Sequence, residues 1–164
     1  MHYQTVRPVV NWVTIRHLDA NDNLMSEQRF TNNRTDMGAL WETNLLHGTQ
    51  VLTGSAVFIA LTGSLFTPTG TVTALLGEIA TFGFSRVHGT RQNYVAPTAI
   101  NGTCTVDIYH QFMHTGTGTS VGIGMAALFT LSAVGTLYAL ATFTQGPATL
   151  ALGEKLDVTW TVSG

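Results

Sequence analysis

VGIGMAALFTLSAVGTLYALATF, residues 121–143, runs for 23 positions without a charged side chain. That length lies within the window of a membrane-spanning helix. Its contents argue against one. Gly122, Gly124 and Gly135 interrupt it, five residues carry hydroxyl groups, and no basic flank or aromatic belt marks its ends. From Leu137 onward Leu137, Ala139, Ala141 and Phe143 fall on one face, and Tyr138, Leu140 and Thr142 on the other. A period of two is that of a β-strand. The stretch therefore predicts two elements around SAVG, the second a strand, and with them a β-sheet protein that does not enter a membrane.

The rest of the chain has the same character. Its 164 residues suffice for one domain with a sizeable core. Charged residues make up 10%, where an average soluble domain has about 25%. The 35 residues from Thr43 to Gly77 carry no charge, and the 62 from Gln92 to Gly153 carry only Asp107. Threonine, with 27 copies, takes their place, and its branched Cβ suits a pleated, half-exposed surface. A net charge of −2 without a clustered basic face excludes the electrostatic footprint of a nucleic-acid binder. Cys104 is the only cysteine, so no intrachain disulfide can form, as suits a reducing compartment. MHYQTVRPVVNWV lacks the basic start, apolar run and cleavage site of a signal peptide.

Two strands, 12–18 and 24–30, flank the turn DANDN. A short helix over 35–48 follows, with Thr35 as its cap, Asp36 in its first turn, an apolar stripe of Met37, Leu40, Trp41 and Leu45, and Gly48 as its stop. Beyond it the signals are those of short strands with turns every 8–12 residues, which point to a mainly β single domain, a β-sandwich of jelly-roll type. Within it GTCTVDIYHQFMH alternates, with Cys104, Val106, Ile108 and His110 on one face. LGEK is a turn, after which Val158, Trp160 and Val162 alternate with Thr159 and Thr161. Charges and turn residues cluster before residue 35, so 1–34 read as an extended N-terminal arm or hairpin, 35–48 as the helix and 49–164 as the sandwich.

Each chemical motif has a plainer explanation. Gly122-x-Gly124-x-x-Ala127 matches the spacing of a dinucleotide fingerprint, but a Thr/Gly loop precedes it and no acid follows before Glu154. Packing in a tight sheet explains the glycines. Asp19, Asn21 and Asn23 are spaced like the start of a calcium loop, yet Leu24 and Phe30 occupy the positions that need Gly and Glu. A hairpin turn accounts for them. His110 and His114 share the spacing of a zinc helix, but Gln111 replaces the required Glu and the segment reads as a strand. Ser55 and Ser64 lack a nucleophile elbow, Cys104 lacks an activating partner, and the acids Glu78, Asp107, Glu154 and Asp157 are dispersed. The expectation is a protein with no catalytic site, cofactor or metal.

So few charges would leave a free monomer poorly solvated, with threonine-rich strands open to edge pairing. Burial in an oligomer or lattice resolves this, because obligate interfaces are depleted in charge. FIALTGSLFTPTGTVTALLGEIATFGFSR, TCTVDIYHQFMHTG, AALFTLSAVGTLYALATF and ATLALGEKLDVTWTVS, in this order, resemble a widespread family of small structural proteins of tailed bacteriophages. The likeness covers about residues 57 to 163. It implies a β-sandwich of the virion, made in the cytoplasm of the bacterial host and without enzymatic activity. The expected station is decoration of the capsid: a cement protein that binds the major capsid protein or other virion proteins as a homo-oligomer. A tail component (fibre-attachment, adaptor or tail-tip) and a receptor- or glycan-binding module are the alternatives. Candidate assembly contacts are Arg7, Trp12, Arg16 and Arg29 in the arm, with Glu78, Arg86 and Arg91 in and beside LLGEIATFGFSRVHG. Glu78 and Arg86 are expected at a sheet end, fixing a contact within or between subunits.

Overall fold

KLDVTWTVS forms β12 (Lys155–Ser163), and its alternation organises the molecule. Leu156, Val158 and Trp160 are fully buried on one face, while Thr159 and Thr161 lie on the other. The computed structural model describes residues 9–31, 33–35, 38, 57–67, 71–95, 105–117, 120–133 and 135–163. In it β12 is the centre of a five-stranded sheet. The hairpin of β1 (Val9–Leu18) and β2 (Leu24–Phe30) joins one side of β12, and β7 (Thr105–Met113) with β6 (Thr90–Val95) joins the other. A second five-stranded sheet runs β3 (Asn33–Arg34), β10 (Leu137–Thr142), β9 (Met125–Phe129), β4 (Phe58–Thr62) and β5 (Val87–His88) in spatial order. A small third sheet pairs β8 (Val121–Ile123) with β11 (Ala148–Leu150). The strand pairs are antiparallel, and the fold is mainly β, a sandwich as the alternation predicts.

The core explains the charge-free stretches. Trp160, Val158, Val13, Ile15, Ile108 and Phe112 from the first sheet meet Ile59, Leu61, Leu128 and Ala141 from the second. The second sheet is buried on its far face too, where Ala60, Met125, Ala127, Phe129 and Leu140 pack with Leu75 under Phe66 and Val72. All five residues of β9 are therefore buried, and a strand covered on both faces has no position for a charge. Residues 121–143 contribute three strands, and among the described residues no helix is long and apolar enough to cross a membrane. One detail departs from simple alternation. The register shifts between Leu137 and Ala139, so Leu137 joins the outer cluster and Tyr138 the inner one.

Of the arm and hairpin expected at the N-terminus, the described residues from Val9 form the hairpin, and the extended arm needs correction there. The two strands and their turn are where the sequence places them, but the hairpin is part of the sheet and not an extension from it. β1 pairs along its length with β12, and Val13, Ile15, Leu18 and Phe30 are buried. Among the described residues, Arg16, Glu27 and Arg29 lie on the outer face of these strands, and Asp19 and Asp22 lie in the turn. The helix expected over 35–48 lies outside the described residues except at its start. There Thr35 Oγ1 accepts a 2.9 Å bond from the Gly38 amide and donates to the Leu137 carbonyl, which is the capping geometry expected of Thr35.

Two turns close one end of the first sheet. The Asp19 carboxylate accepts bonds of 2.8 Å from the amides of Asn21 and Asn23 and from Asn23 Nδ2. These bonds, led by the Asn23 side chain, hold its carboxyl below the usual value. DANDN is thus a hairpin turn that binds its own backbone, and Asp22 takes the left-handed conformation at φ 67°. In the turn before β12, Glu154 accepts a 2.8 Å bond from the Ala151 amide and pairs with His17 Nε2 at 2.9 Å. The Ala151 amide first, and then His17, hold the Glu154 carboxyl below its ordinary value of 4.5. A depressed carboxylate contributes stability that is fully present above its unfolded pKa and disappears as pH falls through its folded one. Glu154→Gln should therefore melt a few degrees below wild type at pH 7, and the gap should close on acidification past pH 4. A gap of constant size in melts from pH 7 to pH 3 would remove the ionised carboxylate from the account.

Candidate functional site

The outer face of the first sheet carries the polar side chains that the core excludes. β7 and β12 lie side by side with Asp157 opposite Gln111, Thr159 opposite Tyr109 and Thr161 opposite Asp107. Asp157, buried, accepts bonds from Tyr109 Oη at 3.0 Å and Gln111 Nε2 at 2.9 Å. Asp107 accepts from Thr161 Oγ1 at 2.7 Å and from Asn93 Nδ2 at 2.8 Å. Burial, and then the Asp157 carboxylate to which it donates, push the Tyr109 phenol up to about 12. On the adjoining hairpin the Arg29 guanidinium lies 3.8 Å over the Trp12 ring, and Arg16 pairs with Glu27 at 3.1 Å. The face carries paired polar and charged groups with two aromatic rings, Trp12 and Tyr109.

Three of the expected contact residues, Trp12, Arg16 and Arg29, therefore stand together on the hairpin's outer face. Glu78 and Arg86 form a second group. The Ile79 amide bonds the Leu61 carbonyl, which places Glu78 at the end of β4, and Arg86 immediately precedes β5. Their side chains meet in a bidentate pair, Nε to Oε1 at 3.0 Å and Nη2 to Oε2 at 2.6 Å. Arg86 Nη1 also donates to the carbonyls of Leu131 and Ala133, and the guanidinium lies 3.6 Å over the Phe129 ring. One arginine thus ties three segments together, and the contact lies within the chain. Arg91 is separate from both groups, on the exposed edge strand β6 beside a cavity of about 310 Å³ lined by Tyr94, Ile108 and Tyr138. Arg7 and Cys104 lie outside the described residues.

Arg86→Ala would leave a half-buried carboxylate and two carbonyls without their donor. Breaking such a pair costs about 3 kcal/mol, which urea unfolding would measure directly. Exchange of the two charges, Glu78→Arg with Arg86→Glu, should restore only part of that loss. The carbonyls of Leu131 and Ala133 and the face of Phe129 would then meet a carboxylate. Full recovery would show that those contacts contribute nothing.

His110 and His114 share a face of β7 and its extension but have different surroundings. His114 is buried between Phe84, stacked at 5.7 Å, and Phe82, edge-on at 5.8 Å. His110 packs edge-on against Phe112 at 4.7 Å, and burial lowers its pKa. Among the described residues no group of three or more His, Cys, Asp or Glu could hold a metal ion. Of the VGIG glycines, Gly124 lies at a close approach, where a Cβ would come within 2.7 Å of Leu65, while a Cβ on Gly122 would meet nothing nearer than Pro147 at 4.0 Å. No helix opens there, since β8 leads straight into β9.

The Asp157–Tyr109–Gln111 cluster was not anticipated. Its period-two spacing is visible in each strand, but the pairing of β7 with β12 joins residues 46 and 48 positions apart, which no local pattern reports. Comparison with known proteins brought no match: no protein-family model, curated protein or solved structure is significantly similar to this chain.

Proposed function

We propose that the protein is a structural component of a tailed-bacteriophage particle, a decoration or cement protein that binds the capsid shell as an oligomer. The observation that carries this reading is the exposure of large apolar side chains at both edges of the first sheet. Leu24 and Met25 on β2 are 49% and 55% exposed, and Tyr94 and Val95 on β6 are 68% and 55% exposed. A domain with so few charges and two such edges is suited to being covered by neighbours. The ordered resemblance of residues 57–163 to phage structural proteins supplies the kind of assembly. Each copy would add a modest apolar contact, at about 25 cal/mol per Å², repeated across the shell.

Immunogold labelling of purified virions tests it. Gold over the heads is the expected result. Gold confined to one vertex or to the tail would replace decoration with the tail-component reading, and a negative blot of the particles would end the virion reading altogether. A glycan-binding module is the second reading, favoured by Trp12 and Tyr109, which stand among polar partners on the sheet's outer face. A glycan array that reports binding by the wild type and none by Tyr109→Ala would favour it.

A further inference from the structure

We propose that the protein forms a symmetric dimer through β2, joining the first sheets of two copies into one continuous sheet. The two edges of this sheet differ. On β6 the register breaks between Gln92 and Val95, and Asn93 sits in the left-handed region at φ 52°. Such a bulge twists an edge away from further pairing. β2 follows β1 without a shift from Ser26 to Phe30, is largely exposed and contains neither proline nor lysine. Among the described residues no strand pairs with its outer side.

Charge selects the register. A two-fold axis perpendicular to the sheet keeps outward side chains outward, so it must pass through a residue and not between two. Through Glu27 or Arg29 it would set like charges directly opposite each other, which destabilises a cross-strand pair. Through Ser26 it would run Arg29 against the turn at Asn23. Through Gln28 it sets Glu27 opposite the second copy's Arg29, and Arg29 opposite the second copy's Glu27. The seam then joins Arg16, Glu27, Arg29 and Trp12, which already contact one another in pairs within one copy. A second observation lies on the axis itself. Gln28 Oε1 is covered by its own chain without a hydrogen-bond partner, and in this register a turn of the side chain toward the seam brings it to the second copy's Gln28, where paired carboxamides satisfy one another.

This dimer specifies the surface for the oligomer proposed above and rests on that reading only for its purpose. The test uses the purified full chain and no virion, so either idea can fail alone. In sedimentation equilibrium the wild type should reach twice the monomer mass. Glu27→Arg and Arg29→Glu each set like charges across the seam, and each alone should dimerise more than about tenfold more weakly. Mixed in equal amounts, the two variants should recover the dimer, because every seam pair in the mixed species is again opposite in sign. Thermal melts close to wild type would separate loss of the dimer from loss of the fold. If either variant fails to melt cooperatively, Gln28→Cys replaces the pair: oxidised, it should give a disulfide-linked dimer through residue 28. A monomeric wild type, a single variant that dimerises like the wild type, a mixture that stays monomeric, or no disulfide dimer through residue 28 would overturn the proposal.

Discussion

Removal of residues 1–30 is expected to abolish the fold, not merely to trim it. An arm could be deleted and leave the sandwich standing. The hairpin cannot, because β1 occupies an interior place between β2 and β12. Its loss would expose one edge of the strand that carries Trp160 and would remove Val13, Ile15, Leu18 and Phe30 from the core. Burial of one such side chain contributes about 1.5–3 kcal/mol, so four of them rival the about 5–15 kcal/mol by which a whole domain is stable. The chain beginning at Thr31 should appear in inclusion bodies. After refolding it should show neither a cooperative melt nor the near-ultraviolet signal of a fixed Trp160. A cooperative transition within a few degrees of the intact protein would show that the hairpin is dispensable, and the arm reading would stand.

The mistake has a physical source. Exposure and charge along β1 and β2 are properties of one face, and the sequence from Val9 to Phe30 shows that face plainly: Arg16, Glu27 and Arg29. The buried positions show only as Val13, Ile15, Leu18 and Phe30, four apolar residues set among polar ones. Half-buried strands have this pattern whether they lie at an edge or, as β1 does, inside a sheet. What decides between the two is the partner strand, β12, which lies about 145 residues away in the sequence. The strand at β12, the hairpin turn at Asp19 and the Thr35 cap were legible because each is a local pattern. The Glu78–Arg86 pair was legible as two opposite charges isolated in an apolar stretch. Its further ties to Leu131, Ala133 and Phe129 were not, because backbone carbonyls leave no mark in a sequence. The same limit hid the Asp157 cluster, whose members look like ordinary polar positions until two distant strands bring them together.

Gly89→Val is expected to destabilise the protein by about 4 kcal/mol or more, in the range reserved for severe core disruption. Gly89 separates β5 from β6, which belong to different sheets, so the chain crosses the sandwich at this residue. Its amide donates to the Val57 carbonyl at 2.7 Å, which draws the crossing close to β4. A Cβ placed on it would lie 2.5 Å from Ile108 Cγ2 and 3.2 Å from both Ile59 Cδ1 and the Val57 carbonyl oxygen. The obstruction comes from both sheets at once, so moving away from one means moving into the other. Alanine should already cost about 2 kcal/mol, as overpacking does, and valine's two further methyl groups have no space to enter. The interaction with Ile108 can be isolated. Leucine at 108 lacks the Cγ2 branch that meets the new Cβ, so Gly89→Ala with Ile108→Leu should be less destabilised than the sum of the single changes. Gly122→Ala serves as the control, because the nearest atom to its Cβ would be 4.0 Å away, and it should stay within about 0.5 kcal/mol of wild type. Urea unfolding of the wild type and the five variants decides the matter. If Gly89→Ala matched Gly122→Ala, the crossing would have slack, and the two sheets would not be held as closely at residue 89 as the packing of Ile108 and Ile59 requires.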